Sequence, residues 1–187
     1  RAYYGGEFEG EEGGFGSPSR FIVRAAKKED VPGIARVWND SYPDQPGASM
    51  LPAEFLAERT LPNFLRRAAE RVKSTFVGVD SVTGEVVGMC VALHEADTDV
   101  PEIEQMFVLP RGRGTGLSSQ LFEMAEQRLE RRGRGKTAKL YVFEENQRAR
   151  RFYERHGWGF RGVHSHDVDI SGGRMYTLQL AKYEKVL

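Results

Sequence analysis

The residues best suited to chemistry gather in the segment Val108-Leu109-Pro110-Arg111-Gly112-Arg113-Gly114-Thr115-Gly116-Leu117-Ser118-Ser119-Gln120-Leu121-Phe122. An apolar stretch, Glu104 to Leu109, reads as a strand. It runs into a turn rich in glycine and arginine, and a helical pattern starts at Thr115 to Leu117. A helix start leaves backbone N–H groups without intrahelical partners, at the positive end of the helix dipole. Glycine lets the backbone approach a ligand and adopt φ > 0. The turn is therefore read as a phosphate or diphosphate site, with Arg111 and Arg113 adding charge and bidentate contacts. Two familiar phosphate loops do not fit. A dinucleotide fingerprint needs G-x-G-x-x-G early in the chain and an acid about 20 residues later, and a P-loop needs lysine after its last glycine. Gly112, Gly114 and Gly116 have the wrong spacing, and no lysine follows them.

A second segment, Asn146-Gln147-Arg148-Ala149-Arg150-Arg151-Phe152-Tyr153-Glu154-Arg155-His156-Gly157-Trp158, follows the expected strand Lys139 to Phe143. Asn146 suits an N-cap and Gly157 a left-handed C′ residue. Ala149, Phe152 and Tyr153 fall on one helical face. Phe152 is read as core. The two segments together resemble the signatures of the GNAT superfamily of N-acetyltransferases. Arg113 to Ser118 is similar to its acyl-CoA loop, Q/R-x-x-G-x-G/A, with Ser118 in place of the last small residue. Val108 to Phe122 fits V-x-P-x-x-R-G-x-G-L-x-x-x-L-F without a gap. Asn146 to Trp158 is similar to N-x-x-A-x-x-F-Y-x-x-x-G-F/W. The resemblance spans about Phe21 to Leu187.

The resemblance implies acetyl-CoA as cosubstrate, no metal, and transfer to a primary amine by direct attack in a ternary complex. Two strands, Glu102 to Leu109 and Lys139 to Phe143, would splay to admit the pantetheine arm. The backbone of Met106, Phe107 and Val108 would pair with that arm, and one N–H there would polarise the thioester carbonyl. Arg113, Gly114, Thr115, Gly116, Leu117 and Ser118 would hold the diphosphate, and Asn146 would bond the arm's amides. Tyr153 is the expected acid for the leaving thiolate. Glu104, with Glu102 second, is the expected base, both on one sheet face by the period of two. A non-catalytic acyl-CoA sensor and a transferase of another acyl group stay open.

The acceptor reads as a small molecule or a peptide amine. His94, Glu95, Asp97, Asp99, Glu102 and Glu104 form an acidic segment that favours a cationic one. Trp38 and Tyr42 sit where relatives build the acceptor pocket. His164, His166, Asp167 and Asp169 alternate late in the chain and read as an exposed strand face rather than a metal site.

At 187 residues the chain is one domain with room for a core. Its 27 basic residues balance 27 acidic ones, which argues against a nucleic-acid partner. Cys90, alone of its kind, forms no internal disulfide and fits a cytoplasmic setting. It reads as a buried, inert thiol. No apolar run matches a membrane span, so no membrane partner is expected. A homodimer and a preceding targeting segment stay open.

Residues 1–20, rich in Gly and Glu, read as a tail. The rest reads as one domain over 21–187. Asp30 is expected to cap a helix carrying Ile34, Ala35, Trp38 and Tyr42, and Pro62 to interrupt a helix that starts near Pro52. Strands over Thr75 to Asp80, Val86 to His94, Glu102 to Leu109, Lys139 to Phe143, Phe160 to Ile170 and Met175 to Tyr183 complete the pattern. The order predicts an α/β (α+β) fold: a mixed, mostly antiparallel sheet of six to seven strands, with helices on both faces.

Overall fold

Branched and aromatic runs become strands because such side chains pack well on a pleated surface. A computed structural model describes residues 20–94, 99–171 and 173–187. Its strands are β1 (Phe21–Ala25), β2 (Thr75–Asp80), β3 (Val86–His94), β4 (Pro101–Val108), β5 (Thr137–Val142), β6 (Gly159–Ser171) and β7 (Arg174–Val186). Its α-helices are α1 (Val31–Ser41), α2 (Ala53–Ala57), α3 (Leu61–Arg71), α4 (Leu117–Gly133) and α5 (Gln147–Arg155). One sheet runs in the order β1-β2-β3-β4-β5-β7-β6. Within it, β4 and β5 are parallel and the other pairs antiparallel. This is the mixed, mostly antiparallel architecture expected. The tail read over 1–20 lies outside the described residues, except Arg20. Arg20 is not loose: it pairs with Asp80, and its carbonyl accepts from Ser81.

The parallel pair is joined by a crossover through α4, as parallel neighbours require. Pairing joins Glu102 to Lys139 and Ile103 to Leu140, then stops. Beyond that point β4 continues to Val108 and β5 to Val142. On its other edge β4 carries a bulge. Val91 faces Gln105 and Ala92 faces Ile103, so Glu104 is the extra residue. A bulge bends its strand and adds twist, and this one lies where β4 parts from β5.

Each face of the sheet has its own core. On one, Leu117, Leu121, Phe122 and Leu129 of α4 pack with Tyr153, Trp158 and Tyr183. On the other, Ile34 and Trp38 of α1 pack with Phe55, Phe64, Val77 and Met89. The α4–α5 layer is pinned by Glu126, which accepts from Trp158 Nε1 at 2.7 Å and Lys185 Nζ at 2.8 Å. Cys90 is buried and free.

Two local expectations are corrected. Asp30 has helical dihedrals and does not cap α1. Its carboxylate accepts from the Lys27 N–H at 2.7 Å and from Arg24 at 2.6 and 2.9 Å, closing the short turn before the helix. Pro62 does not break a helix. It sits in the first turn of α3, where its missing N–H costs nothing.

The start of α4 is seated by glycines beneath it. A Cβ at Gly78 would lie 2.5 Å from Leu117 Cδ1, and one at Gly112 would lie 2.9 Å from Leu117 Cδ2. Leu117 is fully buried and has nowhere else to go. Gly78→Ala is expected to destabilise the fold by about 1–3 kcal/mol through overpacking. A urea midpoint equal to that of the parent would refute this seating.

Candidate active site

The turn before α4 builds its anion-binding shape from local bonds. Gly114 and Gly116 have φ of +75° and +84°, a region that favours glycine. Thr115 Oγ1 donates to the Gly112 carbonyl at 2.8 Å and accepts from the Leu117 N–H at 3.4 Å. The Gln120 N–H makes the first helical bond, to the Gly116 carbonyl. The N–H groups of Ser118 and Ser119 thus precede the ladder at the positive helix end. Arg113 Nε donates to the Val108 carbonyl at 3.0 Å, which ties the arginine back to β4. Arg111 turns away, pairing with Glu85 at 2.7 Å, so the sequence reading of two arginines at the turn reduces to one.

Helix α5 is fixed at both ends. Asn146 Oδ1 accepts from the Ala149 N–H at 3.1 Å, which caps the helix and leaves the amide NH2 for other partners. Gly157, at φ +81°, follows the last turn as expected. Tyr183 accepts from Arg150 and donates to Glu154, docking the helix on β7. Tyr153 is thereby held in the core, 5.5 Å from the Phe122 ring. Burial, with Cys90 nearby, pushes its phenol well above the usual range. A neutral donor results.

A cavity of about 460 Å³ runs through the gap between β4 and β5. Arg113, Asn146, Ala149 and Tyr153 line it toward the α4–α5 layer, and Trp38, Tyr42, Phe55 and Arg67 line it toward α1–α3. Met106, Phe107 and Val108 line it from β4. The Leu109 N–H bonds Val87 on β3. By strand alternation the main-chain groups of Val108 and Met106 face β5, and those of Phe107 face β3.

The two acids on β4 share the α3 side of the sheet, as expected. Glu104 takes a bidentate pair from Arg71, with Nη2 at 2.7 Å, and Arg67 Nη2 lies 3.8 Å away. Glu102 pairs with Lys139 at 3.2 Å. His94 and Lys136 both reach Asp99. The acidic wall is thus interleaved with bases, and Glu95 and Asp97 lie outside the described residues.

Sequence reasoning did not single out Arg59, between α2 and α3, or Arg67 and Arg71 on α3, all of which line the cavity. It also placed His166 on an exposed strand. His164 is exposed, bonding the Arg161 carbonyl, but His166 is half-buried in the cavity, stacked on Tyr141 at 4.0 Å. Asp169 joins it there.

Residues 21–158 match the acetyltransferase (GNAT) family, and the chain belongs to that family. It is 33% identical over 140 residues to an uncharacterised N-acetyltransferase of Archaeoglobus fulgidus, covering 70% of this chain and 88% of that protein. In fold it is similar to the PaiA N-acetyltransferase of Thermoplasma acidophilum in complex with coenzyme A, with a TM-score of 0.62 and 16% identity over 89% of this chain and 99% of the other. An N-acetyltransferase of Staphylococcus aureus Mu50 aligns with a TM-score of 0.65 and 21% identity over 90% of this chain and 99% of the other. Among the described residues, no helix is long and apolar enough to cross a membrane.

Burial, and then Lys139, lower the pKa of His166 below its usual 6.5. The unfolded chain takes up this proton first as pH falls, so stability is lost as pH drops below about 6.5 toward the folded value. NMR titration of the His166 ring is expected to give a midpoint under 6.5. A midpoint at or above it would contradict the burial.

Proposed function

We propose that the chain transfers an acetyl group from acetyl-CoA to a primary amine, by direct attack in a ternary complex. The observation that carries this reading is a continuous cavity passing between β4 and β5, with Arg113, which opens the glycine turn, and Tyr153 on one side and an aromatic, charged pocket on the other. A thioester entering from the turn would meet an amine entering from the α1–α3 side.

In this reading Arg113, Gly114, Thr115, Gly116, Leu117 and Ser118 hold the diphosphate, chiefly through main-chain N–H groups and the helix dipole. Met106 and Val108 offer their β5-facing backbone to the pantetheine arm, with Phe107 fixing the strand on β3. The arm's amides meet the NH2 of Asn146. A β4 N–H polarises the thioester carbonyl. The amine nitrogen forms a bond to the acyl carbon, the C–S bond breaks, and the thiolate takes a proton from Tyr153. Glu104, with Glu102 behind it, takes the proton that the amine sheds. A carboxylate accepts about four hydrogen bonds, so Glu104 keeps lone pairs for the amine or a water while Arg71 holds it. Cys90 has no part in the reaction. The setting is cytoplasmic.

Mass spectrometry of amines incubated with acetyl-CoA and the protein is expected to show acetylated product. Coenzyme A bound without any acetylation would favour a sensor. Tyr153→Phe is expected to lower kcat by about 10²-fold or more, as loss of an acid does, with a smaller change in acetyl-CoA affinity. An unchanged kcat would remove Tyr153 from this role. Gly116→Asp puts charge and a strained φ at the helix start. Calorimetry should show coenzyme A binding at least about tenfold weaker, and parental affinity in the folded variant would refute the diphosphate placement.

A further inference from the structure

The acceptor side of the cavity holds polar atoms that acetyl transfer leaves unused. Arg67, on α3, is 2% exposed. Its Nη1 donates to the Asp169 carbonyl at 2.8 Å and lies 4.0 Å from Asp169 Oδ2, while its Nε is buried without a hydrogen-bond partner. Arg59 lies over the Phe55 ring at 4.2 Å and near the Tyr42 ring at 5.5 Å, and its Nε is likewise buried and unpartnered. Asp169 Oδ1 is a buried acceptor in the same condition. All three side chains line the cavity.

Buried polar groups are nearly always satisfied, because an unmade bond costs the full desolvation of the group. Two orphaned guanidinium N–H groups call for an acceptor, and a planar carboxylate matches the arginine fork. One orphaned carboxylate oxygen calls for a donor. No nearby acid bonds either Nε: Glu104 stands 3.8 Å from Arg67 Nη2, Glu102 pairs with Lys139, and Asp167 accepts from the Thr177 hydroxyl at 2.6 Å. Building on the acetyl-transfer reading, we infer that the acceptor is a small aminocarboxylate, such as an amino acid, whose carboxylate is held by Arg59 and Arg67. Its ammonium is drawn to the acidic side of the pocket, so the cationic character expected from the sequence belongs to one end of the acceptor. Burial pulls the Arg67 pKa down to about 10, and a ligand carboxylate added to Glu104 and Asp169 offsets that cost.

The test compares acetylation of L-amino acids, of their C-terminal amides, and of the linear diamine 1,4-diaminobutane, with coenzyme A binding measured in parallel. The acids are expected to exceed their matched amides in kcat/KM by about tenfold or more, as a site with buried polar groups discriminates. Arg59→Gln and Arg67→Lys are each expected to bring that ratio toward one by raising KM for the acids. Arg59→Gln keeps the test valid if Arg67→Lys does not fold. Equal use of acids and amides, or preference for the diamine, overturns this inference and leaves acetyl transfer standing. A protein that binds coenzyme A and acetylates no member of the panel loses both readings.

Discussion

The whole site depends on β4 and β5 ceasing to pair after two residues. Backbone N–H and C=O groups are obligatory bonding groups, and one left buried and unmade costs about 1–3 kcal/mol. The sheet bears this gap because each half is complete without it. β4 is paired along its length to β3, and β5 is paired to β7 from Thr137 to Val142. The strands can therefore diverge while each stays anchored. The bulge at Glu104 bends β4 at the point of divergence. An extended ligand with amides of its own is the natural occupant of such a gap, by the same physics that adds a strand to a sheet edge.

Charge in the cavity follows a similar logic of partial satisfaction. A buried guanidinium is costly unless acids compensate it. Arg67 has Glu104 at 3.8 Å and Asp169 at 4.0 Å, distances that soften the cost without closing it. It also links α3 to β6 through the Asp169 carbonyl. One residue thus sets the width of the pocket and its charge, and a loss of function on its removal would mix the two. Arg59, which rests on aromatic rings and makes no such bridge, separates them.

Much of this was legible in the chain because it is local. The turn from Val108 to Leu117, the Asn146 cap and the Gly157 stop are backbone devices set within a few residues, and their spacing carries them. The parallel neighbours β4 and β5 follow from the crossover rule, whereas the insertion of β7 between β5 and β6 is a long-range pairing that the sequence reading did not give. Arg67 was not legible because its burial comes from β6, 102 residues away. His166 was hidden for the same reason: its neighbour Tyr141 lies on β5, two strands distant. Asp30 misled because it stands at a helix start, where a cap is the usual role, while Arg24 on β1 claims it instead. The β4 bulge leaves no mark in composition at all.

The gap also dictates where the proposed chemistry has to happen. Tyr153 belongs to the core on the α4–α5 face, and Glu104 is bound to Arg71 on the α3 face. The proposed proton donor and proton acceptor therefore stand on opposite sides of the sheet. In the proposed reaction the acyl carbon would lie in the plane of the sheet, between them, with the sulfur toward Tyr153 and the amine toward Glu104. A phenol whose pKa is raised by burial keeps its proton until a thiolate forms beside it. In the proposed reaction this neutral phenol is the donor that faces the leaving sulfur. Tyr183, Glu154 and Arg150 hold α5, and Tyr153 with it, against β7.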